Sequence, residues 1–177
     1  MLVHIKIAEN DYDRIQRKLF PKEDHREQFG FGLAGLQTNV RIWTLLLRTF
    51  IYADESCLEC QSGAHVRPKE EFIAYVWTLA KQSKSCIIDF HTHPFSDKDV
   101  RFSSIDDAGD RKSYPIAVDC LGPGPHTSVV LGKNSLDARW YDPTTNNLVP
   151  VESILILGQR RRKIVPTGAF SHFIQEK

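Results

Sequence analysis

The stretch Cys86 to Asp107, CIIDFHTHPFSDKDVRFSSIDD, constrains this chain more than any other. Its first five residues, Cys86-Ile87-Ile88-Asp89-Phe90, form an apolar run with strand character that delivers His91 and His93. Residues two apart on a strand point the same way, so both imidazoles can be presented to one point. A polar loop follows and ends in a cluster of Ser103, Ser104, Asp106 and Asp107. Two neutral imidazoles and one carboxylate from a nearby turn supply three ligands and leave the fourth position of a zinc ion open for water. That layout suits a hydrolytic metal rather than a structural one.

With 177 residues, the chain is long enough to bury a core of its own. A net charge of +1, with 25% charged and 41% hydrophobic residues, is ordinary for a globular protein and argues against a nucleic-acid-binding surface. No apolar run is long enough to cross a bilayer, and MLVHIKIAEN lacks the basic-then-apolar layout of a signal peptide. A soluble cytoplasmic protein without membrane partners is therefore expected. Cys57, Cys60, Cys86 and Cys120 do not form a disulfide framework, which fits a reducing compartment. Cys57-Leu58-Glu59-Cys60 is formally C-x-x-C with His65 behind it, but a second zinc site or a redox pair lacks the further ligands or the context it needs. Free thiols in a loop are the expectation.

Leu2 to Ala8 alternates apolar and polar residues as a strand does, and Asn10 or Asp11 is placed to cap a short helix that carries Ile15 and Leu19 and ends at Pro21. Phe29 to Gly35 contains three glycines in seven residues, which suggests a strand approached closely by another backbone or a ligand. Val40 to Ala53 is the strongest β segment and reads as the second arm of a hairpin. Asp54 to Pro68 reads as an irregular loop, and Pro68 as the first residue of a helix running through Lys84. That helix, lying between two strands, would place the histidines at a carboxyl-terminal strand end, a common ligand site in α/β architectures. Ser103 or Ser104 then caps a helix to Lys112. Pro115–Leu121, Thr127–Leu131, Leu136–Tyr141 and Leu148–Leu157 read as four further strands. The basic run Arg160 to Lys163 reads as solvated surface, Trp43, Trp77 and Trp140 as core, and no internal repeat is visible. His4, His25, His65, His126 and His172 have no partners comparable with those of His91 and His93. Asp89 shares the face of His91, either orienting it or serving as a structural carboxylate.

A metal hydrolase also needs a carboxylate that is not itself a ligand, to act as general base. Glu27, just before the glycine-rich strand, is a candidate, since partial burial there would raise its pKa toward a working value. Spacing alone does not choose it over Glu59, Glu70 or Glu71.

His91-Thr92-His93-Pro94, followed by Phe102-Ser103-Ser104-Ile105-Asp106-Asp107 and preceded by Glu27-x-x-Gly30, resembles the signature of the JAMM (JAB1/MPN+) metalloproteases: a distant Glu, then H-x-H-P, then S-x-x-D. The resemblance covers roughly residues 1 to 157. It implies an α+β fold of the JAMM/MPN, cytidine-deaminase-like kind, with a central mixed sheet flanked by helices, in a single peptidase domain over 1–165 with a tail at 166–177. It implies His91, His93 and Asp106 as ligands of Zn2+, Glu27 as the base, and Ser103 as the support of the oxyanion. One departure is that the family spacing puts the aspartate at the position of Ser104, so the loop Pro94 to Phe102 is longer here. Closure entropy makes such an insertion inexpensive. The doubled residues also allow a second register, Ser104 with Asp107.

Proteins that this chain resembles hydrolyse isopeptide or peptide bonds after the C-terminal glycine of a ubiquitin-like protein. The resemblance therefore implies such a tail as partner, clamped as an added strand by the loop Asp54 to Arg67. The short Phe-Ser-x-x-Asp-Asp form resembles bacterial JAB-type members, some of which accompany E1-like and E2-like proteins in conjugation or antiphage operons. Three other readings share parts of the pattern: a relative that releases a small adduct such as cysteine from a sulfur-carrier protein, a non-catalytic MPN interaction module, and a RadC-like protein tied to nucleic acid. The near-neutral charge makes the last the weakest.

Overall fold

A computed structural model describes residues 1–168, so most of the tail expected at 166–177 lies outside the described residues. Strand β1 (Leu2–Ala8) buries Val3, Ile5 and Ile7 on one face, at the period of two that its sequence shows. Helix α1 (Glu9–Leu19) turns Ile15 and Leu19 inward. It starts at Glu9, with Ala8 as its N-cap, so Asn10 and Asp11 are not caps. Glu9 and Asp11 lie in the first turn instead, where the helix dipole favours negative charge.

The expected hairpin forms from β2 (Phe29–Thr38) and β3 (Ile42–Ala53). The segment expected to be an irregular loop is ordered differently. After a 3-10 turn at Glu55–Cys57, β4 (Leu58–Gln61) and β5 (Val66–Pro68) make a two-stranded ribbon. Strands this short show no periodicity, and their pairing is decided across the turn. Pro68 therefore closes a strand, and α2 (Glu70–Gln82) begins after it. Strand β6 (Cys86–Thr92) carries the first histidine, and α3 (Ser104–Leu121) follows the motif loop. There follow β7 (Thr127–Leu131), β8 (Leu136–Asp142), β9 (Asn147–Pro150), β10 (Ser153–Leu157) and β11 (Arg162–Ile164).

Among the described residues, nine strands form one mixed sheet in the order β11-β10-β1-β3-β2-β6-β7-β8-β9. Strands β1 and β10, β1 and β3, and β6 and β7 pair in parallel, and the other neighbours are antiparallel. The sheet curls back on itself. Four strand spacings separate β3 from β8, about 19 Å in a flat sheet, yet the rings of Trp43 and Trp140 lie 5.7 Å apart. Two consecutive residues complete the curl, as Val151 N–H donates to Ala138 O on β8 and Glu152 N–H donates to Val3 O on β1. Inside it, α1 packs on β1, β3 and β10 around Ile5, Ile88, Phe90 and Ile154. Helices α2 and α3 cover the other face over Phe31, Ile87 and Tyr114. The chain is thus α+β, with a central mixed sheet flanked by helices, and no helix among the described residues is long and apolar enough to cross a membrane.

Two expected strands are corrected. Pro115–Leu121 is the second half of α3, with the proline inside the helix. Proline costs a helix interior about 3 kcal/mol, but Tyr114, Ala117, Val118 and Leu121 fall at helical spacing and pack into the same core as α2. A short apolar run does not distinguish such a buried helix from a strand. Leu148–Leu157 is divided at Val151-Glu152 into β9, paired with β8, and β10, paired with β1. The basic run also has more structure than expected, since Arg162 lies on β11 with its guanidinium over the Tyr12 ring and near Glu9.

The glycines of β2 admit neighbouring side chains and, at Gly30, a neighbouring backbone as well. A Cβ on Gly30 would stand 2.6 Å from Phe50 Cζ and 2.9 Å from the Ile51 carbonyl oxygen. Gly30→Ala is expected to destabilise the fold by about 1–3 kcal/mol through overpacking, read as a lower midpoint in urea with an unchanged slope. An unchanged midpoint would show that Phe50 moves aside freely.

Candidate metal centre

The site is assembled by pairing β2 with β6. Phe29 lies opposite His91, and beyond the last rung Thr92 N–H donates to Gln28 O while Gln28 N–H donates to Thr92 Oγ1 at 2.9 Å. These bonds hold the segment before β2, with Glu27 on it, beside His91-Thr92-His93. The ribbon secures the same residue from its other side. Glu27 N–H donates to Ser62 O, and Gln61 Nε2 donates to Glu27 O at 2.9 Å. Glu27 is 5% exposed, and burial pushes its carboxyl above the usual range, with His91 and His93 opposing.

The carboxylate facing the histidines comes from the first turn of α3. Ser103 is its N-cap in a capping box, in which its Oγ accepts from Asp106 N–H and its own N–H donates to Asp106 Oδ2. Its hydroxyl also donates to Asp106 Oδ2 at 2.8 Å. Asp106 Oδ1 then lies 3.3 Å from His91 Nε2, and Oδ2 lies 3.4 Å from His93 Nε2. Burial raises the Asp106 carboxyl, but the two imidazoles and the Ser103 backbone together hold it far below the usual carboxylate range. Burial also works against protonating His91, and Asp106, Asp89 and Glu27 outweigh it, so the net direction is upward.

Among the described residues, His91, His93 and Asp106 form the one group of three or more potential ligand residues whose donor atoms lie within 4.8 Å of one another. Two features of the protein atoms suit a cation between them. His91 Nε2 is buried and makes no hydrogen bond despite its nearness to Asp106, so a buried polar atom is left without a partner. The Asp106 carboxylate also spans the two imidazoles, with one oxygen 3.3 Å from His91 Nε2 and the other 3.4 Å from His93 Nε2, so all three side chains face one small space. Glu27 Oε1, 3.7 Å from His93 Nε2, stands beside the triad rather than within it.

The structure therefore brings together Glu27, His91, His93, Ser103 and Asp106, the residues of the first register. In the second register, Ser104 is exposed in the first turn, and Asp107 pairs with Arg139, away from the histidines. Glu59, Glu70 and Glu71 are likewise outside the triad. Asp89 is held by α3 and β7, accepting from Tyr114 Oη and, at 2.7 Å, from Ser128 Oγ. His126 is structural: its Nδ1 accepts from Ile87 N–H at the start of β6. No motif in the sequence marks Asp110, Ser128 and Tyr114, which are buried beneath the centre, or the half-buried Arg139 that joins them. None lies in a recognisable spacing relative to the histidines, and only the packing of α3 on β7 and β8 unites them.

No family model matches the chain, and no curated protein matches it. Among solved structures, the chain is similar to the solution structure of protein DSY2949 from Desulfitobacterium hafniense, with 12% identity and a TM-score of 0.57 over 88% of this chain and 94% of that one. At that identity the likeness is one of fold. The chain is thus an α+β protein whose curled mixed sheet assembles a His-His-Asp cluster able to hold a metal ion.

Proposed function

We propose that this chain is a zinc-dependent peptidase of the JAMM/MPN type, acting on the bond after the C-terminal glycine of a ubiquitin-like protein. The observation that carries the reading is the convergence of Glu27 with His91, His93 and Asp106. Three separate stretches of chain supply a carboxylate outside the ligand set beside two imidazoles and a second carboxylate. Soft ligands are absent from the triad, and two nitrogens with one carboxylate oxygen form a donor set used by catalytic zinc. When bound, zinc supplies a Lewis acid that polarises a carbonyl and lowers the pKa of water.

In this reading Glu27 takes a proton from the attacking water and returns it to the leaving amine, so no net proton is consumed at the site. Ser103, whose hydroxyl rests on Asp106, supports the oxyanion by turning toward it. The ribbon β4–β5 stands at the rim, with Gly63 in its turn against the exposed ring of Phe95. An extended glycine tail added to one of its edges would run past Glu27. Removing Gly63 and Ala64, while keeping Ser62 to hold Glu27, is expected to raise KM for a ubiquitin-like fusion at least tenfold with metal content unchanged. An unaltered KM removes the ribbon from substrate binding.

E1-like and E2-like proteins are the partners that such a peptidase would accompany. The test is metal content of the purified protein together with cleavage of a ubiquitin-like fusion. One zinc per chain with Glu27-dependent cleavage supports the peptidase, and failure to bind zinc refutes it in favour of an interaction module. Zinc with release of cysteine from a carrier adduct, and no cleavage of the fusion, would assign the chain to the sulfur-carrier relatives.

A further inference from the structure

The turn that carries Ser103 and Asp106 is gripped from both sides by one half-buried arginine on β8. Arg139 donates from Nε to Asp110 Oδ2 at 2.8 Å, with Nη2 2.7 Å from the same oxygen, and from Nη1 to Asp107. Its guanidinium carbon lies 3.7 Å from the centre of the Phe102 ring, the residue before Ser103. The other side of that contact leads to the metal centre, as the Phe102 and His91 rings are 6.0 Å apart. Arg139 therefore holds residues on both sides of Asp106 without touching Asp106 itself.

The grip continues into the floor of the site. Asp110 Oδ1 lies 3.1 Å from Ser128 Oγ, whose one proton is given to Asp89 at 2.7 Å, two residues before His91 on β6. Tyr114 Oη is 3.0 Å from Ser128 Oγ and also donates to Asp89. Side chains of β6, β7, β8 and α3 are thereby joined in one network beneath the ligands. Arg139 and Asp110 have side chains only 11% and 12% exposed, so water does not readily replace either partner. A planar guanidinium alone can fork to two carboxylates and stack on a ring at once, which an ammonium cannot do.

We propose that Arg139 is a positioning residue for the metal centre: by fixing Phe102, Asp107 and Asp110 it sets the first turn of α3, and with it the approach of Asp106 to His91 and His93. The inference rests on the reading of these residues as metal ligands, but its readout is metal affinity and not peptidase activity. Partners in direct contact with a ligand typically affect metal affinity 10–100-fold, and Arg139 acts one contact further out, through Phe102 and the first turn of α3, so a loss of about tenfold is expected of it.

The experiment is titration of wild type, Arg139→Met and Arg139→Lys with zinc against a chromogenic chelator, with Co2+ visible spectra and thermal melting of the metal-free proteins. Expected are cooperative melting in all three and zinc binding weakened about tenfold in Arg139→Met, with a changed Co2+ spectrum. Arg139→Lys, which keeps the charge without the fork, is expected to recover less than half of that loss on a logarithmic scale. If Arg139→Met does not fold, Arg139→Met/Asp110→Asn removes the unpaired carboxylate and is read in the same way. A cleft of about 320 Å³ lined by Phe102, Asp107 and Arg139 offers a second readout. Millimolar guanidinium is expected to restore zinc affinity to Arg139→Ala and not to His93→Ala. Wild-type affinity and spectrum in a folded Arg139→Met would overturn the positioning role and leave the peptidase reading intact. A wild-type protein that binds no zinc would overturn both.

Discussion

Replacing Glu27 with Gln is expected to lower kcat for a ubiquitin-like fusion by a factor of about 10²–10⁴, with zinc content and KM close to wild type. Gln keeps the size and one oxygen of Glu but has no basic oxygen to accept a proton. Glu27 is not one of the three clustered ligand residues, and its position is secured by backbone groups, through Ser62 O, Gln61 Nε2 and the pairing of Gln28 with Thr92. The substitution leaves all of those bonds in place. Its effect is therefore expected on turnover rather than on folding or metal content. A fully active Glu27→Gln enzyme would remove Glu27 from the role of base, and parallel loss of zinc would make it a ligand instead.

Replacing His93 with Ala is expected to abolish both zinc binding and turnover. It removes one of three ligands, so the loss of affinity should exceed the roughly 100-fold upper range for partners one contact further out. Thermal melting separates this from damage to the fold. Zinc at about 1,000 times its Kd stabilises a protein by about 4 kcal/mol, which for a chain of this size is a rise in Tm of about 8–16 °C. Wild type should show that rise, whereas metal-free His93→Ala should melt near metal-free wild type and gain little from zinc. The His93 side chain is 16% exposed and lies at the edge of the core, so truncation leaves no deep cavity. A zinc-dependent rise of wild-type size in His93→Ala would exclude it as a ligand.

Much of the scaffold was legible because periodicity reports burial directly. The alternation in β1, the hairpin of β2 and β3, and the apolar run of β6 each bury one or both faces of a strand. Where burial produces no distinctive period, the pattern is not specific. The apolar run in the second half of α3 is short enough to suit a strand, and the ribbon's strands, of only four and three residues, show no period. The single strand expected over Leu148–Leu157 became two because the curl brings β8 and β1 together at Val151 and Glu152.

The sequence alone determined the candidate chemistry: His91 and His93 two apart on a strand, a Ser-x-x-Asp helix start after them, and a glutamate before the glycine-rich strand. These are local features whose spacing dictates their geometry. Only the tertiary structure set which aspartate faces the histidines, because Ser103 caps α3 through Asp106 while Asp107, one residue later, is turned to Arg139. It also brought Glu27 beside His93, by pairing β2 with β6 and setting the ribbon against its backbone. The Arg139 network is a tertiary matter for the same reason. Its members come from β6, β7, β8 and α3, and buried polar groups find partners according to which surfaces pack together, a relation that separation along the chain does not encode.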